Sequence, residues 1–334
     1  PPYVNANDLK RNSTKNEYNY LKHEYETAKG TVDLYIYFFE KGLNLLKGGG
    51  ILSYITPNRF LSASYGKALR EYILKNSIID KLIDYSDKKV FPDASTYPVI
   101  SFLFKKSLST YKITTGKFDN ETKELISREV DSQKLNILDD YILGFLLNEK
   151  LGITEKVFSQ SISLANCGRI NATSTAKEAD EYSNIVNEES GFRLINTGTI
   201  DQFKTNWGFT YLTDKGHKYQ KPFLPQKSNI ISKNRYDLYI SKKIIIAKIG
   251  LKCEAFYDEN GDYASINTNC IHDFDQNFIP EYILCWINSK LYTYVFECLF
   301  DGLRMSGGYL LFSAPNLKST FIKPIDLNLQ EDFI

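Results

Sequence analysis

The pattern of apolar and polar positions is clearest between residues 34 and 55. Apolar side chains recur at helical spacing from residue 34 to residue 46, and four of them are predicted to share one face: Leu34, Phe38, Leu45 and Leu46. Gly48, Gly49 and Gly50 follow, and glycines suit a helix end that needs a positive φ. Residues 51–55 are then a short apolar run of strand type. Helix, glycine stop and buried strand form the repeating unit of a parallel α/β sheet.

The same glycines could be taken for a phosphate-binding loop. Such a loop precedes its helix and continues into Gly-Lys-Ser/Thr, whereas these glycines come after the helix and no such sequence follows them. The nucleoside-triphosphate interpretation is therefore excluded.

Further elements are predicted up to residue 190. They are a strand-like run at 55–61 (ITPNRFL), a helix at 68–76 (ALREYILKN), a strand within 90–104 (VFPDASTYPVISFLF), a polar connecting stretch at 106–140 with a turn at 116–120, a helix at 141–157, and a loop with short helical turns at 171–189. Helix and strand alternate in the first part of the chain, which is typical of α/β proteins.

Beyond residue 190 the pattern changes to short strands. Residues 191–200 and 243–250 are rich in strand-forming residues, and residues 255–265 predict a hairpin around Glu-Asn-Gly-Asp. Residues 280–299 predict one amphipathic helix. This second part is therefore expected to be a mixed, strand-rich α+β domain.

Composition limits the class of protein. A chain of 334 residues with 43% hydrophobic residues can form two or three domains with buried cores. No run of 18 apolar residues predicts a membrane span, and no signal peptide opens the chain. Five widely spaced cysteines and only three histidines argue against zinc and against a disulfide framework, and predict a cytoplasmic protein with reduced cysteines and no metal.

The basic charge is concentrated although the net charge is only +1. Residues 202–252 hold eleven lysines and arginines against two acidic residues. Aromatic residues are interleaved with them, a mixture suited to phosphate contacts and to stacking on bases. The alternative is a solvated lysine-rich surface over core aromatics.

The first three residues, Pro1-Pro2-Tyr3, suggest a chemistry when they are combined with the segments above. Together with residues 32–40, 45–52 and 55–60, they resemble the TaqI-like gamma-class adenine-N6 DNA methyltransferases, which include the methylase parts of type IIG restriction-modification enzymes. The catalytic motif of that family is Asn/Asp-Pro-Pro-Tyr, and only its last three letters are present. The resemblance covers about the first 105 residues.

The resemblance implies specific roles. The exocyclic amine of adenine is a poor nucleophile inside the base stack, so the enzyme must flip the base out and accept hydrogen bonds from the amine. Pro1 and Pro2 would present a rigid backbone carbonyl, while Tyr3 and Phe91 would stack on the two faces of the flipped base. The expected cofactor is S-adenosylmethionine, with Asp33, Leu34 and Phe38 as candidate cofactor-binding residues.

The glycine-rich turn and the acidic residue that this family uses for the cofactor precede Pro-Pro-Tyr and are absent from this sequence. The chain is therefore expected to be a C-terminal fragment of a longer protein and to bind the cofactor poorly. A nuclease segment upstream of it would need Mg²⁺.

Several phrases in the second part resemble the TaqI-like C-terminal specificity domain: LINTGTI, KIIIAKIG, EAFYDENGDYASINT, ILCWINSKL and GGYLLFSAPNLK. In that family the domain reads the target sequence in double-stranded DNA and closes a cleft with the methylase domain. Bases would be read in the major groove, with lysines and arginines on phosphates. The candidate DNA-binding residues are Arg193, Lys204, Lys215, Lys218, Lys242, Lys248 and Arg304.

The resulting expectation has three parts. Residues 1–110 would be the C-terminal part of a Rossmann-like S-adenosylmethionine-dependent methyltransferase sheet, 111–150 a connector, and 151–330 the target-recognition domain. Two alternatives stay open, namely the methylase of a phage-defence system without a nuclease and a pure specificity subunit like those of type I systems. The codons upstream of Pro1 would separate the first alternative from a type IIG enzyme.

Overall fold

The computed structural model describes residues 1–86, 97–119, 122–136, 139–148, 151–305 and 307–334. The chain divides into two units. Unit 1 comprises Pro1–Lys156 and Cys298–Leu303, and unit 2 comprises Val157–Glu297 and Arg304–Ile334.

Unit 1 is built of helices and one sheet. Its helices are α1 (Ala6–Asn12), α2 (Lys15–Glu24), α3 (Leu34–Leu45) and α4 (Lys67–Asn76), with α5 (Leu151–Phe158) crossing into unit 2. Its strands are β1 (Ile51–Pro57), β2 (Ile78–Asp84), β3 (Pro98–Phe104), β4 (Lys112–Phe118) and β5 (Leu125–Asp131). Short 3₁₀ turns lie at Asn58–Leu61, Ser64–Gly66, Ser132–Asn136, Asp139–Tyr141, Gly144–Leu147 and Asp301–Leu303.

The sheet has the order β1-β3-β2-β4-β5. β3 is antiparallel to both β1 and β2, β2 is parallel to β4, and β4 is antiparallel to β5. The expectation of a parallel sheet is therefore wrong. Helix α4 joins β1 to β2 and gives those two strands the same direction, but β3 inserts between them and forms hydrogen bonds with both. The carboxyl ends of β1 and β2 consequently lie at the same edge of the sheet.

Helix α3 is found where the sequence predicts it, but the face predicted for it is wrong. The buried side is formed by Tyr35, Ile36, Phe39 and Leu43, whereas Phe38 is 39% and Leu45 is 73% exposed. Both stripes are apolar, so periodicity alone could not separate them. Phe39 decides the orientation because its ring lies 5.4 Å from that of Tyr54 in β1 and 5.2 Å from that of Phe60.

Three other expectations about unit 1 are corrected. The strand-like run at 55–61 is strand only to Pro57 and then a 3₁₀ turn. The polar stretch at 106–140 contains β4 and β5, so residues 116–118 of the predicted turn are strand, while Asn120 lies outside the described residues. The helix predicted at 141–157 is broken, because a 3₁₀ turn at Gly144–Leu147 precedes α5. Strand β5 lacks the alternation of apolar and polar residues that predicts a half-buried strand, because most of its side chains are exposed.

Unit 2 contains many short strands. They are β6 (Ile162–Ser163), β7 (Arg169–Ala172), β8 (Phe192–Asn196), β9 (Ile200–Asp201), β10 (Lys204–Thr205), β11 (Leu212–Asp214), β12 (His217–Tyr219), β13 (Phe223–Leu224), β14 (Lys243–Ala247), β15 (Ile249–Gly250), β16 (Ala255–Asp258), β17 (Tyr263–Ile266), β18 (Thr268–His272), β19 (Leu310–Leu311) and β20 (Phe321–Ile322). Its helices are α6 (Ala176–Tyr182), α7 (Lys233–Ile240), α8 (Pro280–Asn288), α9 (Lys290–Phe300), α10 (Ala314–Lys318) and α11 (Leu327–Phe333), and the last three residues of α9 belong to unit 1.

Two larger sheets organise unit 2. One is an antiparallel sheet of order β16-β14-β18-β7, whose strand β14 is completely buried. The other has the order β13-β8-β17, with β8 and β17 parallel. Phe192 and Leu194 of β8 pack with Tyr182 and Tyr239 in the core cluster beneath the second sheet. The sequence-based expectation of a mixed α/β protein with a strand-rich second part is confirmed at this coarse level.

The hairpin predicted at 255–265 is wrong. Strand β16 pairs with β14, while β17 pairs with β8 in the other sheet. The buried carboxylate of Asp258 explains the separation, because it accepts hydrogen bonds from the amides of Asp262 (3.0 Å) and Tyr263 (3.2 Å) and turns the chain away. Lys243 donates to the same carboxylate at 2.5 Å from the neighbouring strand.

The single helix predicted at 280–299 is also wrong, because Ser289 separates α8 from α9. Ser289 has φ −72° and ψ 153°, an extended conformation, and its side chain accepts from the amide of Tyr292 in the next helix. The apolar pattern continues across this break because both helices bury a face. The loop predicted at 171–189 begins inside β7 and contains α6.

None of the helices in the described parts of the chain is long and apolar enough to cross a membrane. Cys167, Cys253 and Cys270 are buried thiols without a disulfide bond. Burial raises the pKa of Cys270 to about 12, which keeps that thiol protonated and unreactive.

Candidate functional site

The residues that directly follow Pro1-Pro2-Tyr3 are hydrogen-bonded to the amino end of α3. The amide of Leu34 donates to the carbonyl of Val4 at 2.9 Å, and the amide of Ala6 donates to Asp33 Oδ1 at 2.9 Å. Pro2 is exposed, whereas Pro1 and Tyr3 are half-buried. Burial raises the pKa of Tyr3 to about 12, so the phenol is neutral near pH 7. The structure thus brings the predicted catalytic segment together with Asp33 and Leu34.

Asp33 is the residue before the first turn of α3, but its side chain does not cap the helix. An aspartate at this position usually accepts from amides of the helix that follows. Here Oδ1 accepts from Ala6, and Oδ2 accepts from the hydroxyl of Tyr65 at 3.4 Å. Each carboxylate oxygen has two acceptor sites, so the carboxylate retains acceptor capacity for a ligand. The cofactor role of Asp33 stays a prediction.

Two tyrosines extend the hydrogen-bond network of Asp33. The hydroxyls of Tyr35 and Tyr65 lie 2.9 Å apart. Burial raises the pKa of Tyr65 to about 12, and it also raises the pKa of Tyr35, whose ring is almost completely enclosed. The charge of Arg59 opposes both shifts, which indicates that this exposed guanidinium lies near the pair. The sequence analysis missed all three residues.

Arg70 holds the loop that carries Tyr65. Its guanidinium is 1% exposed and donates to the carbonyls of Phe60 (2.6 Å), Ala63 (2.8 Å) and Asp140 (2.9 Å). A planar fork of donors suits three carbonyls that diverge from one point. Burial lowers the pKa of Arg70 to about 10, which still leaves it charged near pH 7. The sequence signal that could have predicted this loop-holding role is an arginine within the apolar stripe of a helix.

The carboxyl edge of the sheet carries a further polar group. Asn58 follows β1 directly, and its amide donates to the carbonyl of Tyr97 at 2.8 Å. Its side chain is buried, and Oδ1 has no hydrogen-bond partner among the residues that the structure describes. Ligands of α/β sheets bind beyond the carboxyl ends of strands, which makes this edge the candidate site of unit 1.

Two of the other predicted residues in unit 1 contribute differently. Phe38 lies one turn beyond Leu34 on α3 and is 39% exposed, so its ring is available to a ligand. Phe91 lies outside the described residues, and its stacking role stays a prediction. Within the described ranges, no group of three or more histidine, cysteine, aspartate or glutamate residues could hold a metal ion.

Arg193 is the most organised of the predicted DNA-binding residues in unit 2. Its guanidinium lies 5.4 Å from the ring of Trp207 and 5.5 Å from the ring of Tyr263, and it donates to the Tyr263 hydroxyl at 3.2 Å. It remains exposed and forms a long ion pair of 3.8 Å with Asp262. Stacking fixes the plane of a guanidinium while leaving donors free for phosphate or a base edge.

The predicted lysines lie on exposed elements. Lys215 occupies the turn of the β11–β12 hairpin and Lys218 lies in β12, so one hairpin brings these two together. Three lysines form exposed ion pairs: Lys204 with Asp201 (3.9 Å), Lys215 with Asp180 (3.3 Å) and Lys242 with Glu259 (4.0 Å). Exposed pairs of this kind contribute about 0 to 1 kcal/mol, so phosphate can displace the carboxylate.

Lys248 and Arg304 are less available. Lys248 is half-buried beside the short β15–β19 ladder, and its carbonyl accepts from the amide of Phe312. Arg304 donates to the carbonyl of Gly308 at 2.8 Å and pairs with Glu297 at 3.3 Å. Its guanidinium therefore supports the backbone at Gly308. The DNA-contacting role of all seven basic residues stays a prediction.

Comparison with known proteins places both parts of the chain. Residues 1–91 match the Eco57I restriction-modification methylase family, and residues 194–306 match the TaqI-like C-terminal specificity domain. The type II restriction enzyme and methyltransferase RM.Eco57I of Escherichia coli is 31% identical over 201 residues, which cover 58% of this chain and 20% of that protein. The type II methyltransferase M.BanIII of Aneurinibacillus aneurinilyticus is 28% identical over 172 residues, 48% of this chain and 28% of that protein.

One solved structure, the type IIL restriction-modification enzyme MmeI in complex with DNA, aligns with 98% of this chain and 45% of its own at a TM-score of 0.49 and 10% identity. That score is too low to establish a shared fold. The matched part of this chain covers only 20% of RM.Eco57I and 28% of M.BanIII. The resemblance drawn from the sequence is confirmed: the chain is a homologue of type II restriction-modification methyltransferases that joins an Eco57I-type methylase segment to a TaqI-like C-terminal specificity domain.

Proposed function

We propose that this chain supplies the base-binding end of the methylase domain and the DNA-reading domain of a type IIG restriction-modification enzyme that methylates adenine at N6. One observation carries the proposal: Val4 and Ala6, which directly follow Pro1-Pro2-Tyr3, are hydrogen-bonded to Leu34 and Asp33 at the start of α3. This gives the segment a fixed place at the candidate site. A specificity subunit that only binds DNA has no need for it.

Each described group has a part in this proposal. Tyr3 offers a ring to one face of a flipped adenine, and the rigid Pro1-Pro2 turn orients the carbonyl that accepts from its amine. Asp33 accepts from the amide of Ala6, three residues after Tyr3, and Tyr65 donates to the same carboxylate, so this pair would position the chain that follows the segment. S-adenosylmethionine, when bound, supplies the methyl group, and Leu34 and Phe38 are the residues we assign to its side of the site. We assign no nuclease chemistry and no Mg²⁺ to the described residues.

In unit 2 we propose that Arg193 reads a base edge or a phosphate, and that Lys204, Lys215, Lys218 and Lys242 contact phosphates. The stacked guanidinium of Arg193 and the weak ion pairs of the lysines support this division. Each phosphate contact adds roughly −0.9 to the slope of log K against log salt concentration. Binding to duplex DNA should therefore weaken steeply with salt.

Fluorescence anisotropy of this chain with a labelled duplex at low and at physiological salt concentration tests the proposal. We expect salt-sensitive duplex binding, and the double variant Lys215→Gln/Lys218→Gln should reduce the salt slope by about 2. Lys177→Gln is the matched control, because Lys177 is also an exposed lysine of unit 2 but lies on α6, outside the lysine- and arginine-rich residues 202–252.

Calorimetry with S-adenosylmethionine completes the experiment. We expect no saturable cofactor binding by this chain alone, because the glycine-rich turn is absent from its sequence. A chain that binds no duplex at low salt refutes the DNA-reading part, and tight cofactor binding refutes the placement of the donor site.

A further inference from the structure

Phe209 is the most exposed large hydrophobic side chain among the residues that the structure describes. It is 86% exposed, although it lies only two residues after Trp207, whose ring packs on the core. Burying a phenylalanine stabilises a protein by roughly 1.5 to 3 kcal/mol relative to leaving it in water. We therefore expect the exposed ring of Phe209 to contact a binding partner.

The loop that carries Phe209 is fixed. The carbonyl of Asn206 accepts from the amides of Phe209 (3.0 Å) and Thr210 (2.9 Å), and the amide of Asn206 donates to the carbonyl of Thr199 at 2.8 Å. Gly208 has φ +83°, a conformation that suits glycine and reverses the chain. The backbone therefore displays the ring and leaves it little opportunity to fold back.

Trp207 anchors the base of the loop. Its indole donates to the carbonyl of Pro222 at 2.9 Å, and its ring lies 5.1 Å from that of Phe223 in an edge-to-face arrangement. Arg193, the stacked arginine among the predicted DNA-binding residues, lies over the same indole. Phe209 is thus two residues away from a side chain that contacts Arg193.

Charge indicates which partner the ring meets. The loop lies in the segment 202–252, which holds eleven basic and two acidic residues. The exposed side chain of Lys221 lies along Gly208, where a β-carbon would be 3.8 Å from it. An aromatic face among cations fits a polyanion that carries flat bases, whereas an apolar protein partner would require a wider apolar surface.

We propose that Phe209 is a wedge that inserts between base pairs of duplex DNA and stacks on a base that has lost its neighbour. This inference rests on the proposed function. Apolar side chains that enter the stack pay an unstacking cost of a few kcal/mol per step, and they act where the duplex is already being opened. Phe209 would thereby stabilise DNA in which a base has left the helix.

Competition between two duplexes tests the proposal with this chain. One duplex is intact and the other has a single abasic site in its centre, where insertion does not require unstacking a paired base. Wild type is expected to prefer the abasic duplex, Phe209→Ala to lose that preference with about a tenfold lower affinity for it, and Phe209→Trp to retain it. The salt slope should be the same for all three proteins, because no charge changes.

Phe203→Ala is the matched control, because Phe203 is a 55% exposed phenylalanine on the neighbouring β9–β10 turn of the same segment. It should leave both affinities within twofold of wild type, and an equal loss in both variants overturns the assignment to Phe209. Duplex binding with a normal salt slope that Phe209→Ala leaves unchanged overturns the wedge alone. No duplex binding by wild type overturns the proposed function itself. A dimer that Phe209→Ala abolishes in sedimentation, with DNA binding unchanged, would assign the ring to self-association instead.

Discussion

The buried ion pair of Lys243 and Asp258 predicts a large and asymmetric response to substitution. The Lys243 side chain is 0% and the Asp258 side chain is 2% exposed, and Lys243 Nζ lies 2.5 Å from Asp258 Oδ2. Lys243 also donates to the carbonyl of Tyr239 at 2.6 Å, and Asp258 accepts from two backbone amides. Burial lowers the pKa of Lys243, and the carboxylate opposes that shift.

Asp258→Asn should lower the free energy of unfolding of unit 2 by about 3 to 5 kcal/mol, because it leaves a buried ammonium without its counter-charge. For a unit of this size that is a fall of roughly 6 to 20 °C in Tm. Lys243→Met should cost less, about 2 to 3 kcal/mol, because the carboxylate keeps two amide donors, each contributing about 1.5 to 3 kcal/mol. The double variant should cost less than the sum of the two.

Tryptophan fluorescence during urea denaturation is the assay, since both tryptophans of the chain, Trp207 and Trp286, belong to unit 2. Lys242→Met is the control, because this neighbouring lysine forms an exposed pair with Glu259 at 4.0 Å and should change stability by less than about 1 kcal/mol. If Asp258→Asn and Lys242→Met destabilise equally, the buried ion pair does not stabilise unit 2.

Two further predictions concern unit 1 and the acid stability of unit 2. Arg70→Lys should destabilise unit 1 by roughly 2 to 4 kcal/mol, because an ammonium cannot serve three divergent carbonyls; equal stability of the variant in thermal denaturation followed by circular dichroism would contradict this. Burial holds the pKa of His272 below its ordinary value of 6.5, although Asp273 opposes the shift. The folded state therefore binds fewer protons, so stability is full above pH 6.5 and falls as the pH drops from there towards the folded pKa. His272→Gln should flatten this part of the stability profile between pH 7 and 5, and a profile that keeps its slope would show that another group titrates.

Local sequence patterns predicted the elements that local contacts stabilise. Helix α4 and strand β14 were found where the sequence placed them, and α3 ends before Gly49, whose φ is +78°. The Pro1-Pro2-Tyr3 motif and its order relative to the segments after it also predicted the resemblance to the methylase family that residues 1–91 match. These features depend on residues close together in sequence, so periodicity and motif spacing report them.

The candidate sites depended on contacts that no window of sequence contains. Asp33 meets Ala6 and Tyr65 across 27 and 32 residues, and Arg70 reaches Asp140 across 70. Arg193 meets Tyr263 across the same separation of 70 residues. The sequence showed that basic and aromatic residues are mixed in 202–252, but only the packing shows which rings are buried and that Phe209 is displayed.

The amino-acid sequence by itself determined the resemblance to type II restriction-modification methyltransferases, the change from an α/β part to a strand-rich part, and the location of the basic residues within 202–252. The tertiary structure decided the partners of the strands, the buried face of α3 and the break at Ser289 between α8 and α9. The physical reason is that an apolar stripe or a strand-forming run indicates only that one face of the element must be buried. The face that is buried and the strand that pairs with it depend on long-range contacts. The carboxylate of Asp258, for example, binds the amides of Asp262 and Tyr263 where the chain leaves β16, and β17 then pairs in a different sheet.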